Sequence, residues 1–166
     1  ETDYEMAQRL YDYSSDCWFM FSTPILSNGG TTRGLPISCF LNYVPDSRTG
    51  LSAHYDENIW LASSGGGIGG YWGDVRSNGI PTTHGSRSTG SIPFMHVVDS
   101  QMLAFNQGTT RRGSYAAYMD VSHPEIEEFI NMRKESGGDI NRKCLNLHNG
   151  VNITNSFLDA VKNDED

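Results

Sequence analysis

The strongest constraint on the fold is an alternation along the chain. Short β-prone apolar runs take turns with longer segments whose apolar residues recur at helical spacing. Met6/Ala7, Leu10/Tyr11, Cys17/Trp18 and Phe21 predict a helix from Tyr4 to Phe21. Thr23-Pro24 should end it, because the residue before proline is pushed out of the helical region. Asn28 to Thr31 reads as a turn, and Ser38 to Val44 as a short strand followed by a Pro45-Asp46-Ser47 turn. Leu51, Tyr55 and Ile59/Trp60 mark a second helix, over 51–62, closed by Ser63 to Gly67. Residues 65–91 read as loop, and a third helix runs over 94–105, just after Pro93. A second Gly/Arg loop, 106–113, leads into a strand over 114–119. Ser122-His123-Pro124-Glu125 has the marks of a helix start: a capping Ser, Pro in the first turn, then Glu125, Glu127 and Glu128 near the positive end. Gly137-Gly138 breaks that helix, 146–153 is a strand, and 155–161 a last helix. Strands alternating with helices imply an α/β class with parallel pairing. There is no internal repeat and no linker.

Charge narrows the function. The chain of 166 residues carries a net −8, which weighs against general nucleic-acid or anionic-membrane binding. No apolar run approaches the ~18 residues of a membrane helix. Residues 63–119 are the exception to the acidic character: they hold Arg76, Arg87, Arg111 and Arg112 against only Asp74 and Asp99, with 11 of the 18 glycines. Arginine among glycine inside an acidic protein suggests a pocket for a discrete anion. Cys17, Cys39 and Cys144 are an odd number without CxxC spacing, which argues against a secreted disulfide framework and against zinc. The five histidines show no metal-ligand spacing, so no metal site is expected. A reducing, cytoplasmic setting is the expectation. Residue 1 is Glu, no targeting leader is readable, and both ends look arbitrary, as if the true start lay upstream.

Three stretches carry chemistry. Gly65-Gly66-Gly67-Ile68-Gly69-Gly70 lacks the Gly-Lys-Ser/Thr of a P-loop and is not followed by the helix of a dinucleotide fingerprint. Its backbone could still turn successive N–H groups inward as an anion nest, or form a close-packed turn. Gln107-Gly108-Thr109-Thr110-Arg111-Arg112-Gly113 is more specific, because adjacent arginines repel unless something anionic or planar receives them. A solvated basic loop is the plainer reading; with Arg76 and Arg87, nucleotide phosphate is favoured. Ser38-Cys39 stands at the head of a strand, in a class whose sites gather at strand ends. A Cys before Phe-Leu is, on its own, more often a small buried hydrophobe than a redox thiol. Nothing around Cys17 or Cys144 suggests activation.

These residues carry a resemblance. Phe21-Ser22-Thr23-Pro24-Ile25-Leu26-Ser27-Asn28-Gly29-Gly30-Thr31, followed by Ile37-Ser38-Cys39-Phe40-Leu41, resembles the "ATPTLFNAGT…SSC" block of ribonucleotide reductase large subunits. Ser64 to Gly69 is similar to their "SGGGIG", Gln107 to Gly113 to "QGGxRxG", and Ser122 to Ile130 to "HPDIxEFI". Four blocks in order span nearly the whole chain, in wording close to versions carried by cyanobacterial viruses.

The resemblance implies the first half of a ten-stranded α/β barrel with Gly-rich nucleotide-binding loops. Residues 1–166 would be a single partial domain, without the N-terminal ATP-binding domain and without the second half of the barrel. Cys39 would be the first of two thiols that reduce the ribose, while Thr23, Ser38, Gly67 and Arg111 would contact substrate. Asp46, Arg76, Thr82, Thr83 and Ser88 would form the deoxynucleotide effector site, with Asn106 and Gln107 on the second loop that passes effector identity to the substrate base. The implied reaction removes the ribose 2′-hydroxyl of a ribonucleoside di- or triphosphate by thiol and thiyl-radical chemistry.

The implied partners are a ribonucleotide substrate, a deoxynucleotide or ATP effector, the rest of the large subunit, a second copy forming a homodimer through helices 51–62 and 94–105, and a thioredoxin- or glutaredoxin-like reductant. No cofactor belongs to this segment. The radical source lies elsewhere, in a small subunit with a di-metal centre or in cobalamin. The setting is cytoplasmic, in a host if the source is viral. The radical cysteine, the partner of Cys39 and the relay cysteines have no match here, and Thr82-Thr83 stand where some relatives carry Ile-Arg. A segment of this kind should expose strand edges and apolar helix faces, and should associate when isolated. The rival reading is a non-catalytic deoxynucleotide-binding module using the same loops.

Overall fold

The computed structural model describes residues 2–32, 34–105 and 113–165, and divides into two compact units, Glu1–Ser38 and Cys39–Asp166. In the first, α1 spans Asp3–Ser15. Its start is a capping box: the Glu5 N–H donates to Thr2 Oγ1 at 3.3 Å, and the Thr2 N–H to Glu5 Oε2 at 3.0 Å. Those bonds hold the Glu5 carboxyl below its ordinary range. The helix stops short of the expected Phe21 because Cys17 takes a left-handed conformation, φ 61°, and the Trp18 N–H turns back to the Tyr13 carbonyl. Pro24 then lies in the first turn of a short helix, α2 (Thr23–Asn28), instead of ending one. A first-turn amide has no intrahelical acceptor, so proline is tolerated there.

The second unit is α/β. Four strands, β1 (Cys39–Tyr43), β2 (Gly67–Tyr71), β3 (Ser114–Asp120) and β4 (His148–Asn152), form one sheet in the order β1-β2-β3-β4. Every neighbouring pair is parallel. Helices α3 (Arg48–Ser63) and α4 (Ile92–Ala104) connect the first three strands. A short α5 (Ile126–Asn131) and a 3-10 turn, Ile140–Arg142, lead to β4, and α6 (Asn155–Asn163) follows it. Sequential parallel strands joined by helices are the βα units of a barrel wall, as expected from the sequence.

β2 corrects the reading of 65–91 as loop and of its glycines as a phosphate nest. Gly67 to Tyr71 pair with both β1 and β3, so their amides serve the ladder; among Gly65 to Gly70 only Gly65 has a positive φ, 75°. The glycines are there for space. A Cβ on Gly70 would lie 1.7 Å from the Tyr115 hydroxyl. That hydroxyl accepts from Trp72 Nε1 at 2.9 Å and donates to His54 Nε2 at 3.1 Å, and the same ring nitrogen accepts from Asn58 Nδ2 at 2.9 Å. Two donors on Nε2 require neutral imidazole, and burial pushes the His54 pKa down to about 4. This polar knot ties α3 to the sheet inside an apolar core of Ile68, Met95, Val98, Met119 and Phe129.

α5 is also shorter than expected. It begins after Glu125 rather than at Ser122, and no side chain caps it. Glu125, expected near the positive end of a helix, is 6% exposed and turned inward.

Candidate functional site

Alternation along each strand separates two faces of the sheet. Phe40, Ile68, Trp72, Tyr115 and Met119 pack toward the helices. The other face carries Cys39, Leu41 and Tyr43 on β1, Gly67, Gly69 and Tyr71 on β2, and Ser114, Ala116 and Tyr118 on β3. Register sorts these into rows: Cys39 beside Gly67 beside Ser114, then Leu41, Gly69, Ala116 and His148, then Tyr43, Tyr71, Tyr118 and Gly150. Cys39 is an exposed free thiol, and its strand partner is the Gly67 expected at the substrate. It opens β1 at the amino end, whereas sites in this fold class usually gather at the carboxyl ends. The floor beside it is flat: the Leu41 side chain lies over Gly69, where a Cβ would meet it at 2.8 Å.

At the carboxyl ends the row turns polar. Tyr43 and Tyr71 stack with centroids 6.2 Å apart, and the Tyr71 hydroxyl donates to Asp120 Oδ2 at 2.6 Å. The bond to Asp120 raises the Tyr71 pKa to about 12. Asn152 Nδ2 holds the other carboxylate oxygen at 3.1 Å.

A cleft of about 380 Å3 opens where the loops after β1 and β2 meet the start of α3. It gathers Asp46, Arg76, Thr82, Thr83 and Ser88, the five expected effector residues among the described part of the chain. Arg76 Nε donates to Asp46 Oδ2 at 2.7 Å, joining the two loops. Residues 79–88 form a hairpin-like turn: the Gly79 N–H donates to Ser88 O at 2.9 Å, the Ser88 N–H to Ile80 O at 2.8 Å, and the Thr82 N–H to Ser86 O at 2.8 Å. Thr82 and Ser86 hydroxyls pair at 2.7 Å. Arg48, His84 and Arg87 also line it, with Leu51, Val75 and Phe94 among its apolar residues. Three guanidinium groups against one carboxylate, beside the amino end of a 16-residue helix, suit an anion.

Arg48 escaped sequence reading because it stands in an acidic third of the chain. Its signal was local: it follows the Asp46-Ser47 turn and opens a helix. Thr23 is exposed at the start of α2, and Ser38 is the half-buried last residue of the first unit. Asn106, Gln107 and Arg111 lie outside the described residues. Cys144 is buried, with its thiol pushed up to about 12 by burial and then by Asp99, as fits an inert core residue. Among the described residues no helix is long and apolar enough to cross a membrane.

Comparison with known proteins places the sequence and the fold in a family. The family model for the ribonucleotide reductase barrel domain matches residues 37–166. The chain is 53% identical over 161 residues to a putative ribonucleoside-diphosphate reductase large subunit of Frog virus 3, covering 97% of this chain and 27% of that protein. It is 48% identical over 159 residues to the large subunit of Invertebrate iridescent virus 3, covering 96% and 24%. The alpha subunit of the Actinobacillus ureae class Id ribonucleotide reductase superposes with a TM-score of 0.76 at 30% identity, over 96% of this chain and 28% of that one. The chain thus spans about a quarter of the length of these relatives. It belongs to the ribonucleotide reductase family, within its barrel domain.

Proposed function

We propose that this chain contributes a wall of the catalytic barrel of a ribonucleoside-diphosphate reductase, carrying one redox thiol and a deoxynucleotide effector cleft. The observation that carries the reading is the cleft. Asp46, Arg76, Thr82, Thr83 and Ser88 are spread over 43 positions of sequence, yet they line one cavity rich in guanidinium groups. The names of the relatives, ribonucleoside-diphosphate reductase large subunits, supply the reaction class.

Cys39 would act on the open sheet face, with Gly67 leaving room for the sugar beside it. In the overall step the ribose 2′-hydroxyl leaves as water, and two thiols are oxidised to a disulfide. Cys39 provides one of those thiols, and exchange with an external dithiol restores it. A radical generated outside this segment would remove and return the 3′-hydrogen. Thr23, Ser38 and Arg111 are proposed at the substrate, with Asn106 and Gln107 relaying effector identity. Two nucleotide sites joined by one loop would make the control allosteric. Homodimer contact through α3 and α4 is supported by exposed apolar side chains on both, Trp60 at 70% and Leu103 at 60%.

The test is turnover by the full-length protein with a dithiol reductant and its radical-generating partner. Deoxynucleoside diphosphate should form, and the deoxynucleotide added should change which base is reduced. Tight nucleotide binding without turnover would instead support the binding-module reading.

A further inference from the structure

The hairpin-like loop that lines the cleft is held at both of its ends by one buried carboxylate. Glu125 Oε1 accepts from the Asn78 N–H at 3.3 Å, where the loop begins. Glu125 Oε2 accepts from both the Ser91 N–H and the Ser91 hydroxyl at 2.8 Å, where the loop ends and α4 starts. The fit is close: Gly90 has φ +87°, and a Cβ there would lie 1.8 Å from Glu125 Oε1. Arg142 completes the brace. Its Nη1 donates to the Thr89 carbonyl at 2.8 Å, and its Nη2 approaches Glu125 Oε1 at 3.5 Å and donates to Glu128 Oε2 at 2.7 Å. Its Nε is bonded to Glu128 as well. Two residues upstream of Glu125, His123 Nδ1 accepts from the Glu125 N–H, so Nε2 carries the proton and donates to the Val75 carbonyl at 2.9 Å.

A buried carboxylate is costly unless its charge is met by hydrogen bonds and a cation. Glu125 meets that cost with three donors from the loop ends and a guanidinium. The contacts are non-local, 34 and 47 residues away in sequence, so they are not a helix cap. They leave the loop's tip, with Thr82 and Thr83, facing the cleft, while fixing its base. A loop ordered before a ligand arrives spares that ligand the ordering entropy.

The geometry points to Glu125, supported by Arg142, as the positioning residue of the cleft: it sets the loop from Asn78 to Ser91 in the shape that receives a nucleotide. The inference rests on the reading of that cleft as a nucleotide site. It concerns the segment after β3, where local pattern alone predicts no more than a helix start.

The test uses the full-length protein carrying this segment, with Glu125→Gln and, as a milder second variant, Arg142→Gln. Two quantities are read: amide hydrogen exchange over 78–91 without nucleotide, and the Kd of a deoxynucleoside triphosphate. Exchange over 78–91 should rise at least tenfold in Glu125→Gln, and the effector Kd should rise about tenfold or more. The substrate KM at saturating effector should be unchanged, which separates positioning from general loosening. Arg142→Gln should move both readouts in the same direction by less. Wild-type exchange over 78–91 in both variants overturns the inference, as does a tenfold rise in exchange with an unchanged effector Kd. If Arg76→Ala leaves the deoxynucleotide Kd unchanged, nucleotide does not bind in this cleft, and the positioning role falls together with the proposed function. The exchange data then still decide whether Glu125 braces the loop.

Discussion

Arg76 and Asp46, 30 residues apart in sequence, meet at 2.7 Å and bridge the loops that follow two adjacent parallel strands. Both side chains stay about one-third exposed, so the pair adds little to stability, ~1 kcal/mol or less. Its place is at the mouth of the cleft, where a guanidinium already oriented by a carboxylate can also meet a phosphate or a sugar hydroxyl.

Arg76→Ala in the full-length protein should therefore weaken deoxynucleotide binding about 10- to 100-fold, while the melting temperature moves by no more than a few degrees. Calorimetric titration and a thermal scan check both halves. An equal loss in each would mean that Arg76 is structural.

Gly70 and Tyr115 predict a second effect. Gly70→Ala places a methyl group where the Tyr115 hydroxyl sits, and should cost about 2–3 kcal/mol through displaced packing. Tyr115→Phe removes that hydroxyl together with its bonds to Trp72 and His54. The two changes should not add: in the double variant the alanine finds its space partly vacated. A double-mutant cycle in denaturant measures the coupling.

His54 predicts a pH dependence. Its pKa is lowered from 6.5 to about 4 by burial, so the unfolded chain takes up a proton before the folded one does. The stability that neutral His54 confers is complete above pH 6.5 and is lost as pH falls from there to about 4, by up to about 3 kcal/mol. Thermal scans of wild type and His54→Gln over this range should show a slope in wild type that is shallower in the variant.

Cys144 should resist alkylation in the folded protein. Its burial and raised thiol pKa predict labelling at least a hundredfold slower than at exposed Cys17, followed by rapid labelling in denaturant. Mass spectrometry of maleimide-treated protein reads this directly.

Some of these features were legible in the sequence and others were not, for identifiable reasons. β1, α3, α4 and β3 have apolar residues at their own period, and each lies within a few residues of its expected place. β2 was hidden because glycine has no side chain to show a period; its identity comes from Tyr115 and Leu41, which occupy the space its glycines leave. α5 was misplaced because Ser122, Pro124 and Glu125 imitate a local helix start. The bonds that turn Glu125 inward come from Asn78 and Ser91, which no local pattern connects to it. The cleft residues could be named from the family resemblance. Arg48 and Glu125 required the fold, because only the crossovers bring them beside the loop.

The measurement that tests the central claim most directly is ribonucleoside diphosphate reduction by the full-length protein with Cys39→Ser, beside Cys17→Ser as control. The account predicts that Cys39→Ser lowers turnover at least a thousandfold while nucleotide binding in the cleft is retained, and that Cys17→Ser behaves as wild type. Turnover by Cys39→Ser at the wild-type rate would contradict it.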